Sequence, residues 1–174
     1  MVAVGGRNWK LASSLTAMVN EANRVAPRRS KRSDGSIGDL SHASRSSDHN
    51  SAGGFVHAVD LTQDVRGGFN AHAHARNVAA RRDSRISYII SNGEIWHYAR
   101  PYWRKYTGSN RHVSHAHFSV KRTVAARNDT RLWFGKAPAG PTPPVPPPVS
   151  IKPPVYNVPE ISTDVEGEEE LEMK

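Results

Sequence analysis

The chain contains no cysteine, so disulfides and thiolate metal sites are both excluded, and any metal must be held by His, Asp or Glu. No apolar run approaches the roughly 20 residues that a membrane-spanning helix needs. The opening MVAVGGRNWKLASSLTAMVNEAN also lacks the basic start and long apolar core of a secretion signal. The expectation is a soluble protein with no membrane insertion and no signal peptide. Proline is scarce through most of the chain and then abundant: ten of its twelve prolines fall between 138 and 159, just before EGEEELE. Proline withholds the donors that regular ladders need, and the acidic end has no apolar anchors. Residues 138–174 are therefore expected to form a disordered Pro-rich linker and acidic tail behind one domain, 1–137. Acid is equally scarce in that domain. Residues 1–137 carry 22 Lys+Arg against 9 Asp+Glu, a balance of +13, while 138–174 carry 2 against 7, a balance of −5. Such a basic body suits a polyanionic partner, either nucleic acid or an anionic surface such as a bacterial wall.

What the domain does have is a mixture of two periodicities. Leu11, Leu15, Met18, Val19 and Ala22 recur at helical spacing, which predicts a helix over about 9–24, capped by Asn8 and closed before Pro27. Residues 27–54 are rich in Arg, Ser, Asp and Gly and read as an unusually long loop, a length that usually means function or disorder. FVHAVDL at 55–61 reads as a strand, NAHAHARNVAARR at 70–82 as a helix capped by Asn70, and RISYII with IWHY as a hairpin turning at SNGE, 91–94. Leu132, Trp133 and Phe134 are expected to cover the core. The fold class is α+β, a small antiparallel sheet with flanking helices.

Three of the nine histidines crowd into RHVSHAHFSV, 111–120. As a strand, this stretch puts His115, His117 and Ser119 on one face and Ala116, Phe118 and Val120 on the other, so one face packs while the other is free for chemistry. A catalytic zinc site needs three protein ligands and an open fourth position. His49 in SSDHN, Asp60 in the following strand and His117 are candidates, provided that the two strands are antiparallel neighbours and the loop carries His49 to them. His57 alternates away from Asp60. His72 and His74 lie about 200° apart around a helix, and His42 and His97 have no spacing argument, so these five are assigned ordinary structural roles.

SDHNSAGGFVHAVD together with HVSHAHFSV resembles the zinc peptidases of the D-Ala-D-Ala carboxypeptidase and L-alanyl-D-glutamate endopeptidase family, which share a fold with the hedgehog signalling domain. The pattern of DG-IGD, SDHN, A-x-D and H-x-H looks more narrowly like actinobacteriophage lysin peptidase domains, and the likeness spans roughly residues 8–122. The resemblance implies a hedgehog-like fold binding Zn2+ through Ser47-Asp48-His49, Ala58-Val59-Asp60 and His115-Ala116-His117, with His49, Asp60 and His117 as ligands. Its implied activity is hydrolysis of a stem-peptide bond in bacterial peptidoglycan by a monomeric endolysin or virion-associated lysin. Such a protein would work from the host cytoplasm before release to the wall, or from the virion. Ten residues separate His49 from Asp60, against six in the bacterial carboxypeptidases, which requires a bulging loop between them. Many members place an acidic general base three residues before the last ligand, but here that position is Ser114. The base role accordingly falls to His115, with His112 second, and the anchoring of a substrate carboxylate or oxyanion to Arg32 or Arg45. Two other functions compete. One is a catalytically inactive zinc module that binds a partner. The other is a basic nucleic-acid-binding protein using Trp9, Trp96, Tyr102 and Trp103, although no nucleic-acid motif is present.

Overall fold

Asn92 and Gly93 both take positive φ, 49° and 80°, and this left-handed pair makes the tight turn whose twist suits a two-residue hairpin. It joins β4 (Ile86–Ser91) to β5 (Glu94–His97) in the antiparallel arrangement the sequence predicts. In the computed structural model, which describes residues 9–38 and 46–135, the hairpin belongs to a larger sheet. The further strands are β3 (Ala58–Thr62), β6 (Arg100–Lys105) and β7 (His115–Val120). The order is β3-β7-β4-β5-β6, antiparallel throughout, so the last strand in sequence sits between β3 and β4. A parallel pair, β1 (Lys10–Leu11) with β2 (Phe55–Val56), stands apart. The class is α+β, with helices α1 (Ser13–Val25), α2 (Ala71–Ala80) and α3 (Val124–Asn128). Arg45, His42, Asn8 and the expected tail, 138–174, lie outside the described residues.

Period-2 alternation gives the sheet two unlike faces. Val59 and Leu61 of β3, Ala116, Phe118 and Val120 of β7, Ile89 of β4 and Trp96 of β5 are buried in one core with Leu15, Met18 and Ala22 of α1 and Ala75, Val78 and Ala79 of α2. Each fully buried Phe or Leu there contributes about 1.5–3 kcal/mol. The opposite face carries Asp60, His115, His117, Ser119, Tyr88 and Ile90.

The predicted boundaries need several corrections. The first helix starts at Ser13 rather than near 9, because Lys10 and Leu11 pair with β2, and Ala12 at its N-cap makes no side-chain capping bond. Its buried Glu21 accepts from the backbone N–H of Trp133 at 2.5 Å and of Phe134 at 3.1 Å. These bonds offset the cost of removing a carboxylate from water. Trp133 and Phe134 do cover the core, as expected, whereas Leu132 is exposed. Arg85 holds the same segment from the sheet side: it grips Asp83 with two side-chain bonds of 2.7 and 2.9 Å, donates to the Arg131 carbonyl at 2.6 Å and lies over the Trp133 ring. The expected strand 55–61 is two strands broken at His57. The edge strand β6 was not anticipated, because Pro101 and three basic residues obscure it, although both features suit a solvent-facing edge. α2 is capped by Asn70, whose side chain accepts from the Ala73 N–H, as predicted.

Candidate metal centre

β3 and β7 pair with Asp60 directly opposite His117, so the ladder alone brings these two side chains together on the open face. Asp60 Oδ1 lies 2.9 Å from His117 Nδ1. His49 enters from the loop, its Nε2 3.1 Å from His117 Nδ1 and 3.3 Å from Asp60 Oδ2. The ring is aimed by its other nitrogen: Nδ1 lies 2.8 Å from the Ser36 carbonyl and donates to it, which frees the Nε2 lone pair for the site. His49, Asp60 and His117 thus form a group able to hold a metal ion.

The long loop supports this geometry. Asp34 accepts from Arg29 at 2.6 and 2.9 Å and from the Thr62 N–H and hydroxyl at 2.9 and 2.8 Å, tying the loop to the end of β3. Gly35 then exchanges two backbone bonds with Asp60, and Gly38 N–H binds the His49 carbonyl at 2.9 Å. Residues 34–38 are therefore the strap that sets His49 against Asp60. The extra residues between the two ligands are taken up by a turn through Gly53 and Gly54, at φ 60° and 78°, and by β2.

A cavity of about 240 Å³ opens over the group, lined also by Ser46, Ser47, Tyr88, Ile90, Tyr106 and His112. An open side next to three converging ligands is what a catalytic rather than a closed structural metal site requires. The donor set, two imidazoles and a carboxylate, suits zinc among other divalent ions.

Charge in this cluster is concentrated on Asp60. Burial opposes its ionisation, but the hydrogen bonds and charges of His117 and His49 outweigh this and hold the carboxyl well below the usual range. Burial likewise opposes protonation of His49, yet Asp60 raises its pKa above the ordinary value. His112 is pushed down to about 4 by burial together with the neighbouring His117 and His115, and burial also lowers His115.

The structure brings most of the expected residues together. His115 is buried, its Nδ1 3.1 Å from the Ser114 hydroxyl and its Nε2 3.8 Å from Asp60 Oδ2. His112 also stands beside the group. A strand reaching back to 112 would turn its ring away, but β7 begins at His115 and His112 takes a left-handed φ of 53°. Its ring sits 4.8 Å from that of His115 and 5.5 Å from that of His117. Arg32 is exposed and does not line the cavity, while Arg45 lies outside the described residues. His72 binds Ser91 and the Val113 carbonyl, and His74 stacks on Phe69, both structural roles.

Tyr88 and Asp48 were missed as functional residues. His117 Nε2 lies 3.0 Å from the Ser119 hydroxyl, and Tyr88, opposite Ser119 in the β4–β7 ladder, stacks its ring on that of His117 with centroids 5.3 Å apart. Arg122 holds Asp48 at 2.8 Å. Burial first, and then Asp48, push the Tyr88 phenol up to about 12, so it stays a donor. Ser119 shares the period-2 face of His117, but Tyr88 becomes visible only once the β4–β7 register is known.

No protein-family profile, curated protein or solved structure matches this chain. Among the described residues, no helix is long and apolar enough to cross a membrane. Of the aromatics considered for a nucleic-acid interface, Trp96 is buried and Arg76 lies 4.0 Å over the Trp103 ring, whereas Tyr102 is exposed and Trp9 half-buried.

Proposed function

We propose that the protein is a zinc-dependent peptidase acting on bacterial peptidoglycan, with a hedgehog-like fold and the role of a phage endolysin or virion-associated lysin. The observation that carries this reading is the convergence of His49 Nε2, the Asp60 carboxylate and His117 Nδ1 beside an open cavity. The motif resemblance supplies the substrate class. A zinc ion held by these three residues would supply Lewis acidity, activating a water and polarising the scissile carbonyl. His115 accepts the water proton and returns it to the leaving amine, and His112, packed against it, is the alternative acceptor. Asp60 remains ionised and would supply the carboxylate ligand beside the two imidazoles. Ser119 accepts the Nε2 proton of His117, which would leave the Nδ1 lone pair for a metal ion. Arg32 and Arg45 remain the candidates for anchoring a substrate carboxylate. The basic domain favours approach to an anionic wall.

The test is mass spectrometry of fragments released from purified peptidoglycan, combined with metal analysis. The zinc-loaded protein should release stem-peptide fragments with new amine termini, and His49→Ala, Asp60→Ala and His117→Ala should each lose both metal and release. His115→Ala should keep the metal and lower turnover by about 10²–10⁴. Full metal occupancy in His117→Ala would refute the site, and intact peptidoglycan under the zinc-loaded protein would refute the activity.

A further inference from the structure

Asp60 is shared between two groups of metal-ligating atoms. Besides His49 and His117, its carboxylate converges with His112 and His115, the ligating atoms of this second group also lying within 4.8 Å of one another. Both rings of the second group have one nitrogen engaged and the other available. His112 Nδ1 lies 2.6 Å from the Asn110 carbonyl and donates to it, which leaves the lone pair on Nε2. His115 Nδ1 meets the Ser114 hydroxyl, while its Nε2 is buried, lacks any hydrogen-bond partner and lies 3.8 Å from Asp60 Oδ2. A buried imidazole nitrogen with no partner is costly to maintain, and here it is aimed at a carboxylate oxygen. The same device that aims His49, a carbonyl taking the Nδ1 proton, is repeated at His112.

We propose that Asp60, His112 and His115 form a second, weaker divalent-cation site that shares the Asp60 carboxylate with the first and shuts the centre down when filled. The proposal deepens the peptidase reading and rests on it for the inhibitory consequence. Two dications joined by one carboxylate would sit roughly 3.5–4 Å apart, as in two-metal sites, and their mutual repulsion makes the second ion bind less tightly than the first. The lone pair that takes the second ion is the one His115 needs to accept a proton. Filling the second site therefore stops proton transfer without displacing the first ion.

The full chain, stripped of metal by a chelator, is titrated with zinc alone, and bound metal is measured by calorimetry and elemental analysis. Two ions per chain are expected, in a tight and a weaker step. His112→Ala and His115→Ala should each keep the tight ion, which also shows that the fold is intact, and lose the weaker one. His117→Ala should lose the tight step. In the unaltered chain, release of peptidoglycan fragments should rise with the first ion and fall with the midpoint of the second. Saturation at one ion, or a second ion that survives both His112→Ala and His115→Ala, would overturn the proposal. Two ions lost in the expected pattern with no fragment release at any zinc level would instead sink the peptidase reading and leave the second site standing.

Discussion

The side chains around the centre are held in two different ways. Asp60 and His117 stand on paired strands, placed by the register of a ladder whose other face is packed core. His49 and His112 stand on loops, each aimed by a backbone carbonyl that takes the Nδ1 proton. The ladder is cooperative and its position is set by apolar burial, whereas each loop histidine depends on a few local bonds. Damage to the first arrangement should cost stability and metal together, while damage near the second should separate them.

The largest effect is expected from Phe118→Ala. Phe118 stands on β7 next to His117, fully buried on the core face and paired with Val59 of β3, the strand that carries Asp60. Truncation should cost about 3–5 kcal/mol in denaturant unfolding of the metal-free protein. Zinc affinity should fall with it, and an unchanged affinity would show that the ladder is not what places the ligands.

Asp34→Asn attacks the loop strap. It leaves the buried Arg29 guanidinium without its carboxylate, at a cost of about 2–3 kcal/mol, less than for a fully buried pair because Asp34 is partly exposed. The pH dependence has a defined sign. Burial opposes ionisation of Asp34, but Arg29 and Thr62 outweigh it and lower the pKa in the folded state. Its contribution is therefore present above the unfolded carboxylate value of about 3.9 and is lost as pH falls through the lower folded value. The melting temperature of Asp34→Asn should vary less steeply with acid than that of the unaltered chain. Parallel curves would remove Asp34 from the acid transition.

The smallest change is Ser119→Ala, which removes the hydroxyl beside His117 Nε2 and leaves strand and core intact. Zinc affinity should drop about 10–100-fold, the usual result of losing the group that orients a ligand imidazole. Competition with a chromogenic chelator measures it, and an affinity within twofold of normal would show that the ladder alone orients His117.

The strand half of the centre was legible in the sequence because period 2 carries information over distance. Asp60 and His117 each alternate with core residues, and antiparallel pairing then leaves few registers that bury Val59, Leu61 and Phe118 together. The hairpin was legible in Asn92-Gly93. The loop half was only partly so: the crowding of histidines was visible, but histidine adopts the left-handed backbone too seldom for the sequence to reveal it at His112, where it turns the ring inward. β6 stayed hidden because edge strands tolerate Pro101 and charge. The break at His57 was hidden because the strand pattern runs through it unbroken.

The placement of β7 also dictates an order of events in synthesis. It is the last strand in sequence yet lies between β3 and β4, and Glu21 near the start finds its buried partners only at Trp133 and Phe134. Contacts of such long sequence separation close late and slow folding. A nascent chain emerging from its N-terminal end can form the β4–β5 hairpin and the helices early, but it has a gap where β7 belongs and an uncompensated carboxylate on α1. His117 and the segment that seals the core arrive nearly together, so the centre is assembled only as the domain closes.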